Sequence, residues 1–254
     1  MTEKEKKIAK VKEFFKEHGV EVKNVVDMTD SNQEWIKERE SLIAKIKKYV
    51  ETYHPEFKDT WYKTQDRLAF IIAMYAHRDQ KRLNGDSYIE HPLNLSTMLS
   101  QLSLCEIERD DMYVWMECGL PFYGVEEVAL LHDVLEDTTV TLDDIGYIFE
   151  KYGFWDYYVT YIEDPLKLIT HNKKESYETY MQAVIDSPTA SLVKMLDMQD
   201  NINMFTLDKL GDEEVNRCIK YIKCTKILND KHHFIEKINR YHTAIQNKNK
   251  KKSD

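Results

Sequence analysis

Four titratable side chains stand within one apolar stretch of this chain: Leu130-Leu131-His132-Asp133-Val134-Leu135-Glu136-Asp137. Read as part of a helix over 125–137, His132 and Glu136 are i, i+4 neighbours, and so are Asp133 and Asp137. One imidazole and three carboxylates then face one side. Gathering three carboxylates is costly unless protons or a cation compensate, and a bound metal ion is the simplest compensation. Further ligands stand at the ends of other apolar runs. His77 closes Ile71-Ile72-Ala73-Met74-Tyr75-Ala76, and Asp197 closes Leu192-Val193-Lys194-Met195-Leu196. Either residue alone reads as a core or capped side chain. Taken with His132 and Asp133 they make two imidazoles and two carboxylates, a set suited to Mn²⁺, Fe²⁺ or a similar divalent ion. His91 reads as an anchor for a helix opening at Pro92, and the His232-His233 pair as surface.

The order His77, His132-Asp133, Asp197 resembles the H…HD…D signature of HD-domain metal-dependent phosphohydrolases. The flanking residues narrow the resemblance to RelA/SpoT-type alarmone hydrolases. AHRDQKRLNGDSYIEHPL (76–93) is similar to their A-H-x-x-Q-x-R-x-x-G-x-x-Y-I-x-H-P-L segment. LLHDVLEDT (130–138) is similar to L-L-H-D-x-x-E-D-T, and KMLDMQDN (194–201) to K-L-A-D-x-x-D/H-N. The resemblance covers roughly 66–205, about half of the chain.

It implies an all-α HD-domain helical bundle in which His77, His132, Asp133 and Asp197 hold Mn²⁺ or another divalent cation. Glu136 and Asp137 match the pair that positions or activates the attacking water. Arg82 matches an arginine set against the nucleotide base, and Lys81 is a further cation for the phosphates. Asn201 matches an asparagine at the ribose and phosphate end, and Lys194 reads as structural. The implied activity is removal of pyrophosphate from the 3′ position of guanosine polyphosphates. The alternatives are an HD phosphohydrolase for another nucleotide (a nucleoside mono- or triphosphate, or NADPH) and a non-enzymatic, antitoxin-like binding module. Leu83 and Met204 depart from the family pattern, residues 105–124 look like an insertion, and nothing resembles a synthetase half.

These side chains need helices to carry them. Ile8, Val11, Phe14 and Phe15 fall at helical spacing, and Ser31 with Glu34 has the form of a capping box opening a second helix that Pro55 ends. A long buried helix is expected over 61–77, then a polar turn at 83–86 and a helix from Pro92. Thr141 with Asp144 caps another, Ser187-Pro188 opens one running through 190–206, and the last lie between about 212 and 245. The run 157–162 has strand propensity but is short and isolated. The expected organisation is an N-terminal helical extension (1–58), the catalytic domain (59–245) and a disordered basic tail (246–254), with the extension available for a homo-oligomer or protein partner.

Composition bounds the rest. The chain has 254 residues, with only 7 Gly and 5 Pro. Sheet-rich folds need turn residues at shorter intervals, so the scarcity favours long helices. No G-x-G occurs, and Val125 follows the Gly119/Gly124 pair where a P-loop needs Lys, so nucleotide binding would proceed without a glycine cradle. A net charge of −9 argues against a nucleic-acid partner. Four cysteines without a C-x-x-C pair fit a reducing compartment. No apolar run approaches the ~20 residues that span a bilayer, and a cytoplasmic location is expected.

Overall fold

The computed structural model describes residues 28–102, 109–203 and 209–253. The stripe expected at residues 8–15 and Met204 lie outside them. The helices are α1 Met28–Tyr53, α2 Gln65–Ala76, α3 Glu90–Leu102, α4 Arg109–Glu117, α5 Val125–Leu131 and α6 Val134–Asp137. They continue as α7 Leu142–Lys151, α8 Glu163–Ile169, α9 Tyr177–Ile185, α10 Pro188–Ile202, α11 Asp212–His232 and α12 Phe234–Ser253. Apart from one isolated bridge between Lys81 and Ser87, the described residues carry no β-pairing. The fold is all-α.

The chain divides into two compact units, Met1–Lys45 and Ile46–Asp254. The division falls inside α1, ahead of the boundary expected near residue 58. In the first unit Arg39 lays its guanidinium 3.8 Å from the centroid of the Trp35 ring. The helix begins at Met28, so Ser31 lies inside it instead of capping it.

In the second unit α5 is the hub, packed by α2, α3, α8 and α10. Val128, Ala129, Leu130 and Leu131 are all buried, as befits a helix surrounded on every side. Each of the larger apolar side chains there stabilises the fold by about 1.5–3 kcal/mol. Its start is fixed by Gly124, at φ +77°, where an added Cβ would meet the Tyr161 carbonyl oxygen at 2.3 Å. Tyr161 lies on a π-helical turn, Tyr158–Ile162, which is what the residues of strand propensity form. The Tyr157 hydroxyl accepts the Gly124 N–H at 3.0 Å.

Several sequence expectations shift locally. The buried helix expected from 61 starts at Gln65, after a turn through residues 58–64. The Pro92 helix begins two residues earlier, at Glu90. The 141/144 capping box forms, and Ser187 caps α10 through the Ala190 N–H. The tail expected to be disordered from 246 continues α12 to Ser253. Tyr241 and Ile245 bury one face of that helix, and Lys248 donates to Asp111 at 2.6 Å, which anchors its last turns. His232 is also drawn in, its Nε2 bonding the Ile185 carbonyl at 2.9 Å.

Candidate metal centre and adjoining cavity

The stretch expected to be one helix over 125–137 is broken at its chemically interesting point. α5 ends at Leu131, α6 starts at Val134, and His132 and Asp133 form the turn between them. In a regular helix adjacent side chains diverge by about 100°. Here the tightened turn, with the Glu136 and Asp137 N–H groups both on the Asp133 carbonyl (3.2 and 3.0 Å), brings both side chains to one point. His132 Nε2 lies 3.1 Å from Asp133 Oδ2.

Two further atoms complete the cluster. Asp197 on α10 brings Oδ1 to 3.8 Å from His132 Nε2. His91 on α3 brings Nε2 to 3.1 Å from Asp197 Oδ1, 3.5 Å from Asp133 Oδ2 and 3.3 Å from His132 Nε2. Helices α3 and α10 and the α5–α6 turn thus deliver donors from different directions. His91, His132 and Asp197 are all buried.

The histidine that joins His132, Asp133 and Asp197 is therefore His91, not His77. His77 caps the end of α2, where its Nδ1–H donates to Gln80 Oε1 at 2.6 Å and its ring stacks on Tyr88 with centroids 4.7 Å apart. Its Nε2 is buried without a partner. The sequence placed two histidines within fifteen residues of each other, and only tertiary convergence distinguishes them. Burial lowers the His77 pKa. Burial also opposes charge on His132, but Asp133 and Asp197 outweigh it and raise that pKa to about 10. His91 is likewise raised, against burial, by hydrogen bonds to Asp197 and Asp200. Asp197 is held well below the carboxylate range by Lys194 and the two imidazoles, again against burial.

The donor set fits a divalent cation. His132 Nδ1 can only donate to the Ala129 carbonyl, at 2.8 Å, and His91 Nδ1 donates to Asp200 Oδ2 at 2.6 Å. Both rings therefore turn Nε2 toward two carboxylate oxygens, and a cation binding there would take the place of the Nε2 protons that the raised pKa values imply. Four electron pairs converge, and either protons or a cation must lie among them. Ligands about 2.0–2.2 Å from a shared ion stand roughly 3–3.5 Å apart, the range that most of these separations occupy.

Around the cluster, Tyr88 donates its hydroxyl to Asp133 Oδ2 at 2.7 Å and approaches Asp137 Oδ2 at 3.3 Å. Burial and these carboxylates push the phenol far up, so it remains a donor. Gln80 donates to the Asp137 carbonyl at 2.6 Å. Glu136 Oε2 accepts the His171 N–H at 3.1 Å. Lys194 pairs with Asp197 Oδ2 at 2.8 Å and Asn201 donates to Asp197 Oδ1 at 2.6 Å, so both orient that carboxylate.

A cavity of about 260 Å³ opens beside His91, walled by Lys81, Arg82, Tyr88, Asn201, Arg217 and Tyr221 among others. Lys81, Arg82 and Asn201 were expected at a nucleotide. Arg217 and Tyr221 were not, because no motif surrounds them; they stand one turn apart on α11, which packs on α10. Leu83 also lines the cavity and is 74% exposed.

No protein-family model matches the chain. Among curated proteins, a GTP pyrophosphokinase rsh of Brucella melitensis biotype 1 is 32% identical over 100 residues, 39% of this chain and 10% of that protein. The bifunctional (p)ppGpp synthase/hydrolase SpoT of Escherichia coli K12 is 27% identical over 180 residues, 69% of this chain and 22% of that protein. The guanosine-3′,5′-bis(diphosphate) 3′-pyrophosphohydrolase of E. coli O157:H7 matches at the same 27%, over the same shares. The chain thus spans between a tenth and about a fifth of these relatives' length. A solved structure, described as a metazoan ortholog of SpoT that hydrolyzes ppGpp, aligns with TM-score 0.47 and 23% identity over 71% of this chain and 95% of that one.

Proposed function

We propose that this relative of the RelA/SpoT-type ppGpp hydrolases is a metal-dependent phosphohydrolase that removes pyrophosphate from the 3′ position of guanosine polyphosphates. The observation that carries the reading is the convergence of His91 Nε2, His132 Nε2, Asp133 Oδ2 and Asp197 Oδ1 beside a cavity walled by cationic and aromatic side chains. The relatives whose names specify ppGpp hydrolysis supply the substrate class.

His91, His132, Asp133 and Asp197 would hold the cation, and Mn²⁺ is among the divalent ions that a mixed imidazole and carboxylate set accommodates. Bound there, a divalent ion acts as a Lewis acid that makes water nucleophilic near neutral pH and polarises phosphorus. The protein's own groups do the rest. Glu136 and Asp137, one turn beyond Asp133, orient the water and accept its proton. Tyr88 holds Asp133 and Asp137 in fixed relation through its hydroxyl. Lys81, Arg82 and Arg217 offset phosphate charge, and the Tyr221 ring offers a face to the base or ribose. Asn201 serves the same end of the cavity while orienting Asp197. Water attacks the phosphorus bonded to the 3′ oxygen, that P–O bond breaks, and the products are GDP and pyrophosphate.

Leu83 favours a second reading, a phosphohydrolase for another nucleotide, because an apolar side chain stands on the wall where a second cation would grip phosphate. Comparing kcat/KM for ppGpp, GTP and NADPH with Mn²⁺ present separates the two. The primary reading expects ppGpp to be preferred by at least about tenfold, roughly 1.4 kcal/mol of transition-state discrimination. A preference for NADPH or GTP moves the assignment to the second.

A further inference from the structure

We propose that Asp200 is a positioning residue that ties the cavity wall to the cation ligands, so that Arg82 holds His91 in place without touching any donor atom. The inference rests on the reading above, in which the cluster holds a divalent cation.

Asp200 stands on α10 one turn beyond Asp197, on the same face, and is 1% exposed. Both its carboxylate oxygens are engaged. Oδ2 accepts from His91 Nδ1 at 2.6 Å and from Arg82 Nη1 at 2.8 Å, and Oδ1 accepts from Asn94 Nδ2 at 3.0 Å. The His91 ring is therefore clamped between two carboxylates of one helix, Asp200 on Nδ1 and Asp197 on Nε2. This fixes one proton on Nδ1 and aims Nε2 at the cluster, where a cation would take the place of the second proton. An outer carboxylate on a ligand histidine orients the ring and raises its donor strength.

Arg82 makes that carboxylate tolerable. A carboxylate this deeply buried needs a full counter-charge, and the Arg82 guanidinium, its side chain only 11% exposed, supplies it. The same contact holds Oδ2 where it meets the His91 Nδ1–H. Arg82 thus lines the cavity and, through a single intervening carboxylate, sets the orientation of a cation ligand. A residue serving only the nucleotide base would alter substrate KM and leave the cation affinity of the nucleotide-free protein unchanged.

Titration calorimetry of Mn²⁺ into the nucleotide-free full chain tests the link. Asp200→Asn keeps the shape but loses the charge, and its Mn²⁺ affinity should fall by about 10- to 100-fold. Arg82→Met should weaken Mn²⁺ binding by about fivefold or more, with Arg82→Lys restoring part of the loss. Leu83→Ala, on the same wall without a polar link, should bind Mn²⁺ as the wild type does. Should Asp200→Asn fail to fold, Arg82→Met reads the same link from the cavity rim. Wild-type affinity in Arg82→Met, whether or not Asp200→Asn folds, overturns the proposal while leaving the cation site standing. A wild-type chain with no Mn²⁺ affinity overturns both.

Discussion

At the scale of residues, the site turns on which histidine faces the carboxylates. His91 lies within 3.5 Å of donor oxygens on both Asp133 and Asp197, whereas His77 spends its Nδ1 on Gln80 and its ring on Tyr88. His91→Ala should therefore lower Mn²⁺ affinity by at least about 100-fold, as loss of a ligand does, with phosphohydrolase activity falling alongside. His77→Ala removes a brace behind Tyr88 and should cost stability while changing Mn²⁺ affinity by less than about tenfold. Calorimetry with melting curves on both variants checks the assignment, and the reverse order of affinities would restore His77 as the ligand. Neighbouring residues in sequence could not show this. Asp133, Asp197, Glu136 and Asp137 were legible because each closes or interrupts an apolar run, a pattern that buried charge makes conspicuous. His91 precedes a proline at a helix start, where an anchoring role explains it equally well until α10 is brought alongside.

At the scale of elements, α5 has to enter the core at one angle for His132 and Asp133 to reach the cluster. Gly124 sets that angle: it has a positive φ and no room for a Cβ against the Tyr161 carbonyl. Gly124→Ala should destabilise the fold by about 2 kcal/mol or more, since it combines left-handed backbone strain with a backbone clash. A thermal melt unchanged from wild type would contradict this role. In the first turn of α5, the Glu127 carboxyl is buried. Burial pushes its pKa up to about 7, with Glu126 and Asp66 adding to the shift. The folded state therefore holds a proton that the unfolded chain releases near 4.5. Stability from this group is complete below about pH 4.5 and is lost as pH rises through 7. The loss is roughly 3 kcal/mol at 1.36 kcal/mol per unit. Glu127→Gln, which cannot titrate, should gain stability relative to wild type from pH 4.5 to 8, measured as the difference in denaturant midpoints. A difference that stays flat with pH would show that Glu127 holds no such proton. The break at His132-Asp133 belongs to this scale as well. Helical periodicity runs straight through 125–137, and only the packing of α5 against α2, α3, α8 and α10 reveals where the helix must turn.

For the whole molecule, scarce glycine and proline pointed to helices, and the all-α fold agrees, because few turns leave long amphipathic segments whose apolar faces must meet. The same scarcity shapes the binding site. A chain without a glycine cradle places its ligand-holding groups on helices, and here α3, α10, α11 and the α5–α6 turn supply them. What sequence could not reach is the pairing of distant helices. Arg217 and Tyr221 belong to the cavity only because α11 packs on α10, and the terminal basic run is helical because Tyr241 and Ile245 bury one face of α12. The acidic surplus of the chain is partly local to the cluster, where a divalent ion would offset it. The most direct test of that central claim is product analysis of ppGpp incubated with the wild-type chain, with and without Mn²⁺. GDP and pyrophosphate should form in equal amounts, only with the metal, and be abolished by a chelator and lost in Asp133→Asn; turnover that persists without metal, or ppGpp left intact by a Mn²⁺-loaded chain, would contradict metal-dependent hydrolysis at this cluster.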